Sequence, residues 1–327
     1  MRGTTASLLA GVLLLSLLAP LVAGQETSEG EDGSDQMDEE FESASRRVEV
    51  DELEGEVEVR SVGADGDRIR MRIRADEAEL RLDFRTPETN FTEVELELEF
   101  RSIREYLDEN GDGRFDKGET VVQDFRVDDM PFSGPVIEDV PDGSRIELTY
   151  ETSGFTFRLI FWVFGNQTIL NGTLVKPTEV KFDLAVQDFP FEREDSNLAV
   201  IFKLETEVEP RMSSEADQEM LEALSGRYEG FFRWSTVAEV DGRTVDVNST
   251  VIKVETEIGG EFEVERTIAL SYPQGSSVVH DPVVGIAMAT TGMEMGLLGL
   301  MIIVVTVVLI SVGVAIWLAS RHREARS

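Results

Sequence analysis

Twelve residues, Asp108 to Glu119, read Asp-Glu-Asn-Gly-Asp-Gly-Arg-Phe-Asp-Lys-Gly-Glu. Side-chain oxygens fall at positions 1, 3, 5, 9 and 12 of this run, on Asp108, Asn110, Asp112, Asp116 and Glu119. Gly113 occupies position 6, where a chain folding around a point must turn sharply, and Arg114 at position 7 has a main-chain carbonyl to offer. An all-oxygen donor set of this size suits a hard cation such as calcium, which takes six to eight oxygens at about 2.4 Å. Glu119 would close the shell with both carboxylate oxygens. Chance gives this spacing roughly once per hundred chains of such acidic composition, so calcium binding is the expectation.

The loop has to be held by its flanks, and both flanks read as strand. Val94-Glu95-Leu96-Glu97-Leu98-Glu99-Phe100 alternates apolar and charged residues on one side, and Thr120 to Phe125 is rich in β-formers on the other. The twelve residues resemble the EF-hand calcium loop, although Phe115 stands where that family prefers Ile, Val or Leu. With strands in place of amphipathic helices, the context is closer to the calcium loops within β-domains of microbial surface proteins. That resemblance implies a static, structural ion rather than a helix-opening sensor, with affinity of roughly 10⁻⁴–10⁻³ M as in extracellular modules.

Little else in the chain suggests chemistry. Among 327 residues there are no cysteines and two histidines, against 65 acidic and 30 basic side chains, for a net charge of −35. This excludes disulfides, a thiol nucleophile and cysteine-ligated metals, and it disfavours nucleic acid as a partner. No Gly-X-Ser-X-Gly, His-Glu-X-X-His, P-loop or dinucleotide-binding turn occurs. Carboxylate pairs for glycoside hydrolysis are too numerous among the acids for one to stand out. His280-Asp281-Pro282 reads as linker rather than as a ligand site. No small-molecule cofactor and no enzymatic activity are expected. The few lysines among many acids resemble the composition of proteins from salt-loving archaea.

The two ends are apolar. Residues 1–24 carry a basic start, an apolar run and small residues, the parts of a secretory signal peptide. Residues 296–319 are uncharged and long enough for a membrane helix, and the basic tail 320–327 would stay in the cytoplasm. The expected topology is a single pass through the cell membrane with the N-terminal body outside. Four of the six asparagines, Asn90, Asn166, Asn171 and Asn248, lie in Asn-X-Ser/Thr, where composition alone predicts about one. These are expected glycan acceptors, which agrees with secretion.

Between the ends, residues 25–46 are acidic and nearly devoid of apolar side chains, and are expected to be a disordered leader. From 47 onward the dominant period is two, with turn signals such as Pro141-Asp142-Gly143 and Asp241-Gly242. The expected fold is mainly β: one or two antiparallel sandwich domains, over 47–165 and 166–275, with a juxtamembrane linker at 276–295. One short helix is expected at 214–224, from the spacing of Met220, Leu221 and Leu224. Phe155 to Phe164 reads as a central strand buried on both faces. The row Arg68, Arg70, Arg72 and Arg74 admits an anion-binding ladder, but cross-strand pairing with glutamates is the better expectation.

The function expected is therefore that of a glycosylated, calcium-binding surface protein with a structural or recognition role and a possible protein partner at the surface or in the membrane. An accessory or sensor subunit of a membrane complex is the second reading, and a surface polysaccharide hydrolase the third.

Overall fold

A computed structural model of the chain describes residues 41–289, apart from 54, 75–77, 88–91, 131, 153, 216 and 259–260. The expected signal peptide, nearly all of the leader, the membrane helix 296–319, the basic tail and Asn90 lie outside the described residues. Among those described, no helix is long and apolar enough to cross a membrane.

The chain is mainly β and its strands pair antiparallel. In order these are β1 (Arg47–Leu53), β2 (Glu56–Val62), β3 (Arg68–Arg74), β4 (Glu79–Arg85), β5 (Val94–Leu107), β6 (Thr120–Arg126), β7 (Ser133–Val140) and β8 (Gly143–Glu151). Next come β9 (Thr156–Phe164), β10 (Thr168–Leu170), β11 (Thr173–Val175), β12 (Glu179–Gln187), β13 (Asn197–Thr206), β14 (Arg211–Glu215) and β15 (Gln218–Ser225). The last are β16 (Tyr228–Ser235), β17 (Val237–Val240), β18 (Arg243–Asp246), β19 (Asn248–Ile258), β20 (Glu261–Pro273), β21 (Ser277–His280) and β22 (Val283–Met288).

Among the described residues two large sheets form. One runs β1-β2-β3-β4-β5-β13-β20-β19, with β6 also pairing β5. The other runs β14-β15-β16-β22-β12-β21-β17-β18, with β7-β8-β9 joining through β12. The alternation that marked the strands explains the packing: in β3, Ile69, Met71 and Ile73 are buried while the intervening arginines face out. Aromatic rings bridge the sheets, with Phe100 to Phe182 at 5.5 Å, Phe202 to Phe232 at 5.7 Å and Phe84 to Tyr228 at 4.5 Å between centroids. Gly230 is required where they approach closely, since a Cβ there would lie 2.8 Å from Val94 Cγ1. Strands from before and after residues 165–178 enter both sheets and share one apolar core.

Four expectations need correction. Residues 214–224 are not helical: β14 and β15 pair there as a hairpin. Leu221 and Ala223 face the core while Leu224 is exposed, so the period is two and the helical spacing of Met220, Leu221 and Leu224 was coincidental. The expected linker at 276–295 contains β21 and β22, which pair with successive parts of β12 and are separated only by Asp281-Pro282. Proline lacks the N–H that a continuous ladder would use there, while its carbonyl accepts from the Phe182 amide at 3.0 Å. The end of the leader is structured as well: the Phe41 ring packs on Phe84 and Tyr228, and Arg46 is buried. Finally, β9 is fully buried only on its core side, with Ile160 and Trp162 half-buried on the other.

The outer face of the first sheet carries the ion pairs expected of it, but in a different arrangement. Glu58 on β2 receives both Arg60 and Arg70, Asp83 on β4 meets Arg72, and the β5 glutamate Glu95 meets Arg81. Farther along β5 the acids are in excess. Burial, with Glu79 and Glu205 close by, pushes Glu97 up to about 7. A carboxyl whose folded pKa is raised holds its proton longer in the folded state, so its ionisation lowers stability as pH rises through 4.5 to about 7. Glu97→Gln is therefore expected to raise the melting temperature at pH 8 and to leave it unchanged at pH 4. A variant that melts lower at pH 8 would contradict this account.

Candidate functional site

The twelve-residue run connects the antiparallel partners β5 and β6 as a hairpin loop. Its local geometry follows from residue type. Gly111 and Gly113 adopt φ of +75° and +74°, conformations that cost a side chain-bearing residue. The chain folds around Asp108, whose Oδ1 accepts from the Gly111 amide at 2.9 Å and whose Oδ2 accepts from the Gly113 amide at 2.8 Å. Asn110 Oδ1 accepts from the Asp112 amide at 2.8 Å, and Asp112 Oδ1 from the Arg114 amide at 2.8 Å. Such short-range acceptors replace the ladder bonds that a loop cannot make.

The loop is seated on the outer face of the sheet. Phe115 is buried against Tyr106, Ala199, Ile201 and Ala269, a small cluster apart from the main core. Its ring meets Tyr106 edge-on at 5.2 Å, and the Arg104 guanidinium lies 5.5 Å from its centroid. The Phe115 amide donates to Ser271 Oγ at 2.9 Å, Tyr106 Oη donates to the Gly113 carbonyl at 3.2 Å, and Thr250 Oγ1 donates to Asp116 Oδ1 at 3.4 Å. Burying an aromatic of this size contributes about 2 kcal/mol. Phe115, the departure from the EF-hand pattern, thus serves as the loop's anchor. Tyr106, Ser271 and Thr250 had no signal in the motif because they come from distant strands.

Glu119 differs from the other acids of the loop. Both of its carboxylate oxygens are shielded from solvent and neither has a well-formed hydrogen bond. Burial raises its pKa, and the negative charges of Asp108, Asp112 and Asp116 raise it further. Asp108 and Asp112 are turned to the loop's own amides, and among the described residues no group of three or more His, Asp or Glu side chains is gathered as a metal-holding cluster. The structure therefore brings the six expected positions into one small loop without converging their oxygens. The donor set still fits a hard cation: four carboxylates, the Asn110 amide oxygen and the Arg114 carbonyl, with a solvent-shielded carboxylate that lacks a well-formed hydrogen bond at the closing position.

The remaining sequence candidates are dispersed. Asn166 is exposed, and Asn171 is exposed at the tip between β10 and β11. Asn248 is half-buried beside the loop, its Nδ2 within 2.5 Å of where a Cβ on Gly113 would lie. His280 is neither linker nor ligand site. It is buried with Nδ1 2.8 Å from Tyr272 Oη and Nε2 2.9 Å from the Ser235 carbonyl. Burial, aided by the nearby Lys181 charge, pulls it down to about 4, so it is neutral and donates through Nε2.

No protein-family model matches the chain, and no curated protein is similar to it. Among solved structures, the heparan sulfate lyase HepC from Pedobacter heparinus superposes with a TM-score of 0.41 at 8% identity, over 77% of this chain and 36% of that one. A mutant of HepC gives a TM-score of 0.44 at 8% identity, over 75% and 37%. The chain spans little more than a third of the lyase.

Proposed function

We propose that the chain is a calcium-binding β-sandwich of the cell surface, anchored by one C-terminal membrane helix at 296–319, with a structural or recognition role. The observation that carries the calcium reading is Glu119, a carboxylate whose two oxygens are shielded from solvent with no well-formed hydrogen bond, only the Asn110 amide nearby, among the negative charges of Asp108, Asp112 and Asp116. An unpaired buried charge costs several kcal/mol, and like charges around it add to that cost. A divalent cation removes both penalties at once. Asp108, Asn110, Asp112, Asp116, Glu119 and the Arg114 carbonyl would hold it, and the ion supplies positive charge rather than reactivity. Because strands flank the loop, ligation stiffens a hairpin instead of opening a helix pair. The secretory start, the basic tail and the exposed sequons Asn166 and Asn171 support placement outside the cell, where calcium is abundant.

The test is a calcium titration of the full chain with a thermal melt at each concentration. At a hundredfold excess over the dissociation constant, binding to the folded state alone stabilises by about 2.7 kcal/mol. The expected result is one site per chain and a melting temperature that climbs with calcium. Asp108→Ala combined with Asp112→Ala should abolish both. An unchanged melt in the native protein at millimolar calcium would overturn the reading.

A further inference from the structure

A second feature lies on β1 to β4, away from the calcium loop and independent of it. Five arginines, Arg47, Arg60, Arg68, Arg70 and Arg85, line a shallow groove of about 510 Å³ on the outer sheet face. The chain as a whole carries −35, yet only Glu49, Glu58 and Asp83 offset them in this groove. The pairing register shows how they converge. Arg47 is opposite Val62, Val62 opposite Arg68, and Arg68 opposite Arg85, so one row across four strands presents three guanidinium groups.

The acids of this face are already engaged. Glu58 receives Arg60 and Arg70, Asp83 receives Arg72, the exposed Glu49 pairs with Arg47 at 3.2 Å, and Asp67 is held by the buried Arg46 at 2.6 Å. Arg68 and Arg85 are therefore the row's uncompensated pair and Arg47 its exchangeable end. Arg68 and Arg85 face each other directly with no ion-pair partner among the described residues. Like charges opposed across an antiparallel pair are destabilising, so the row is costly unless an external anion lies between them. Guanidinium groups bind the oxygens of carboxylates and sulfates in forked geometry.

We propose that this groove binds a strand of anionic polysaccharide, its sulfate or carboxylate groups seated between Arg47, Arg68 and Arg85. Adjacent strands lie about 4.8 Å apart, so the row offers positive charge at about 5 and 10 Å intervals, spacings suited to a polymer with charges on successive sugar units. Val62 lies between Arg47 and Arg68 in this row and gives a sugar C–H face an apolar contact. The groove contains no aromatic side chain, which disfavours single-stranded nucleic acid because that needs stacking platforms. The acidic remainder of the molecule does not forbid the approach, since at physiological ionic strength charges beyond about 8 Å are largely screened.

The test uses the full chain with dextran sulfate and polygalacturonate as anionic probes, and uncharged dextran and a thymidine oligonucleotide as comparators. The native protein should bind at least one anionic glycan and neither comparator. Arg68→Thr with Arg85→Thr should weaken binding by about tenfold or more, whereas Arg211→Thr with Arg243→Thr, the same charge change at exposed sites on β14 and β18, should change it less than about twofold. The groove variant should also melt no lower than the native protein, because a repulsive pair has been removed. Tighter binding to the oligonucleotide, equal losses in both double variants, or a lower melt with binding intact would each overturn the proposal.

Discussion

Glu105→Ala is expected to lower stability by about 3–5 kcal/mol at pH 7, among the largest losses available from one polar side chain in this protein. Glu105 is fully buried and makes five contacts. Its Oε2 accepts from the Glu192 amide at 2.9 Å and from Gln123 Nε2 at 2.7 Å. Oε1 accepts from the Arg193 amide at 2.8 Å, from Ser196 Oγ at 2.6 Å and from the Glu192 amide at 3.1 Å. One carboxylate thus holds the connection by which the chain passes from β12 in one sheet to β13 in the other. Truncation would leave the Glu192 and Arg193 amides without their acceptor, at about 1–3 kcal/mol each when unpaired, while Gln123 Nε2 and Ser196 Oγ keep the Pro190 and Arg193 carbonyls. Glu105→Gln keeps the volume but turns an NH₂ toward amide donors, and should recover only part of the loss.

The pH dependence gives a second check. Burial alone would raise the Glu105 pKa, but the Glu192 amide, the Ser196 hydroxyl and the other donors outweigh it and hold the carboxyl below its ordinary value of 4.5. A carboxyl depressed in the folded state contributes stability that is complete above its unfolded pKa and is lost as pH falls through the folded value. The gap between native protein and Glu105→Gln in urea melts should be widest near pH 7 and narrow below pH 4.5. A gap independent of pH, or an alanine variant less than about 1 kcal/mol weaker, would refute the anchoring role.

Why Glu105 was invisible in the sequence is itself informative. In β5 the even residues Val94, Leu96, Leu98 and Phe100 face the core while Glu95, Glu97 and Glu99 face out, and that alternation was plain. The register then slips between Phe100 and Ser102, which face Phe202 and Ile201 with Arg101 left over. Such a bulge inverts the parity of everything after it. Ile103 and Glu105 become inward residues, and Tyr106 turns outward to receive Phe115. A pattern of charged and apolar residues carries the period of a strand but not the position of an inserted residue, so both the buried carboxylate and the loop's docking partner escaped. The candidate calcium loop was legible because its oxygen-bearing residues are contiguous in the chain. Its seat on Ser271 and Thr250 was not, because those residues come from β20 and β19. The β15 error had a related origin, since Met220 and Leu224 are four apart and fit a helix face, whereas hairpin pairing with β16 set the actual period.

The last expected result concerns a cation where the sequence showed only an unremarkable strand residue. Lys181 on β12 points to the outer face of the second sheet, yet its side chain is fully shielded from solvent. It is held by Asp183 and by Asp281 at 3.1 Å, and Asp183 also accepts from Trp162 Nε1 at 2.9 Å. Asp281 comes from the break between β21 and β22, so the lysine ties the Asp281-Pro282 break back to the strand both elements pair with. Lys181→Ala would leave Asp183 facing Asp281 without a counter-charge and is expected to cost about 3 kcal/mol, the low end for breaking a buried pair because Asp281 is 35% exposed and can rehydrate. Lys181→Met, which keeps most of the packing, should lose nearly as much if charge is the cause. Combining Lys181→Met with Asp281→Asn should then cost less than the sum of the two single changes, because the pair is already broken. Strict additivity in that cycle would mean that Lys181 and Asp281 are not coupled, that any charge effect of the lysine runs through Asp183, and that the break at Asp281-Pro282 is fixed by β12 pairing without it.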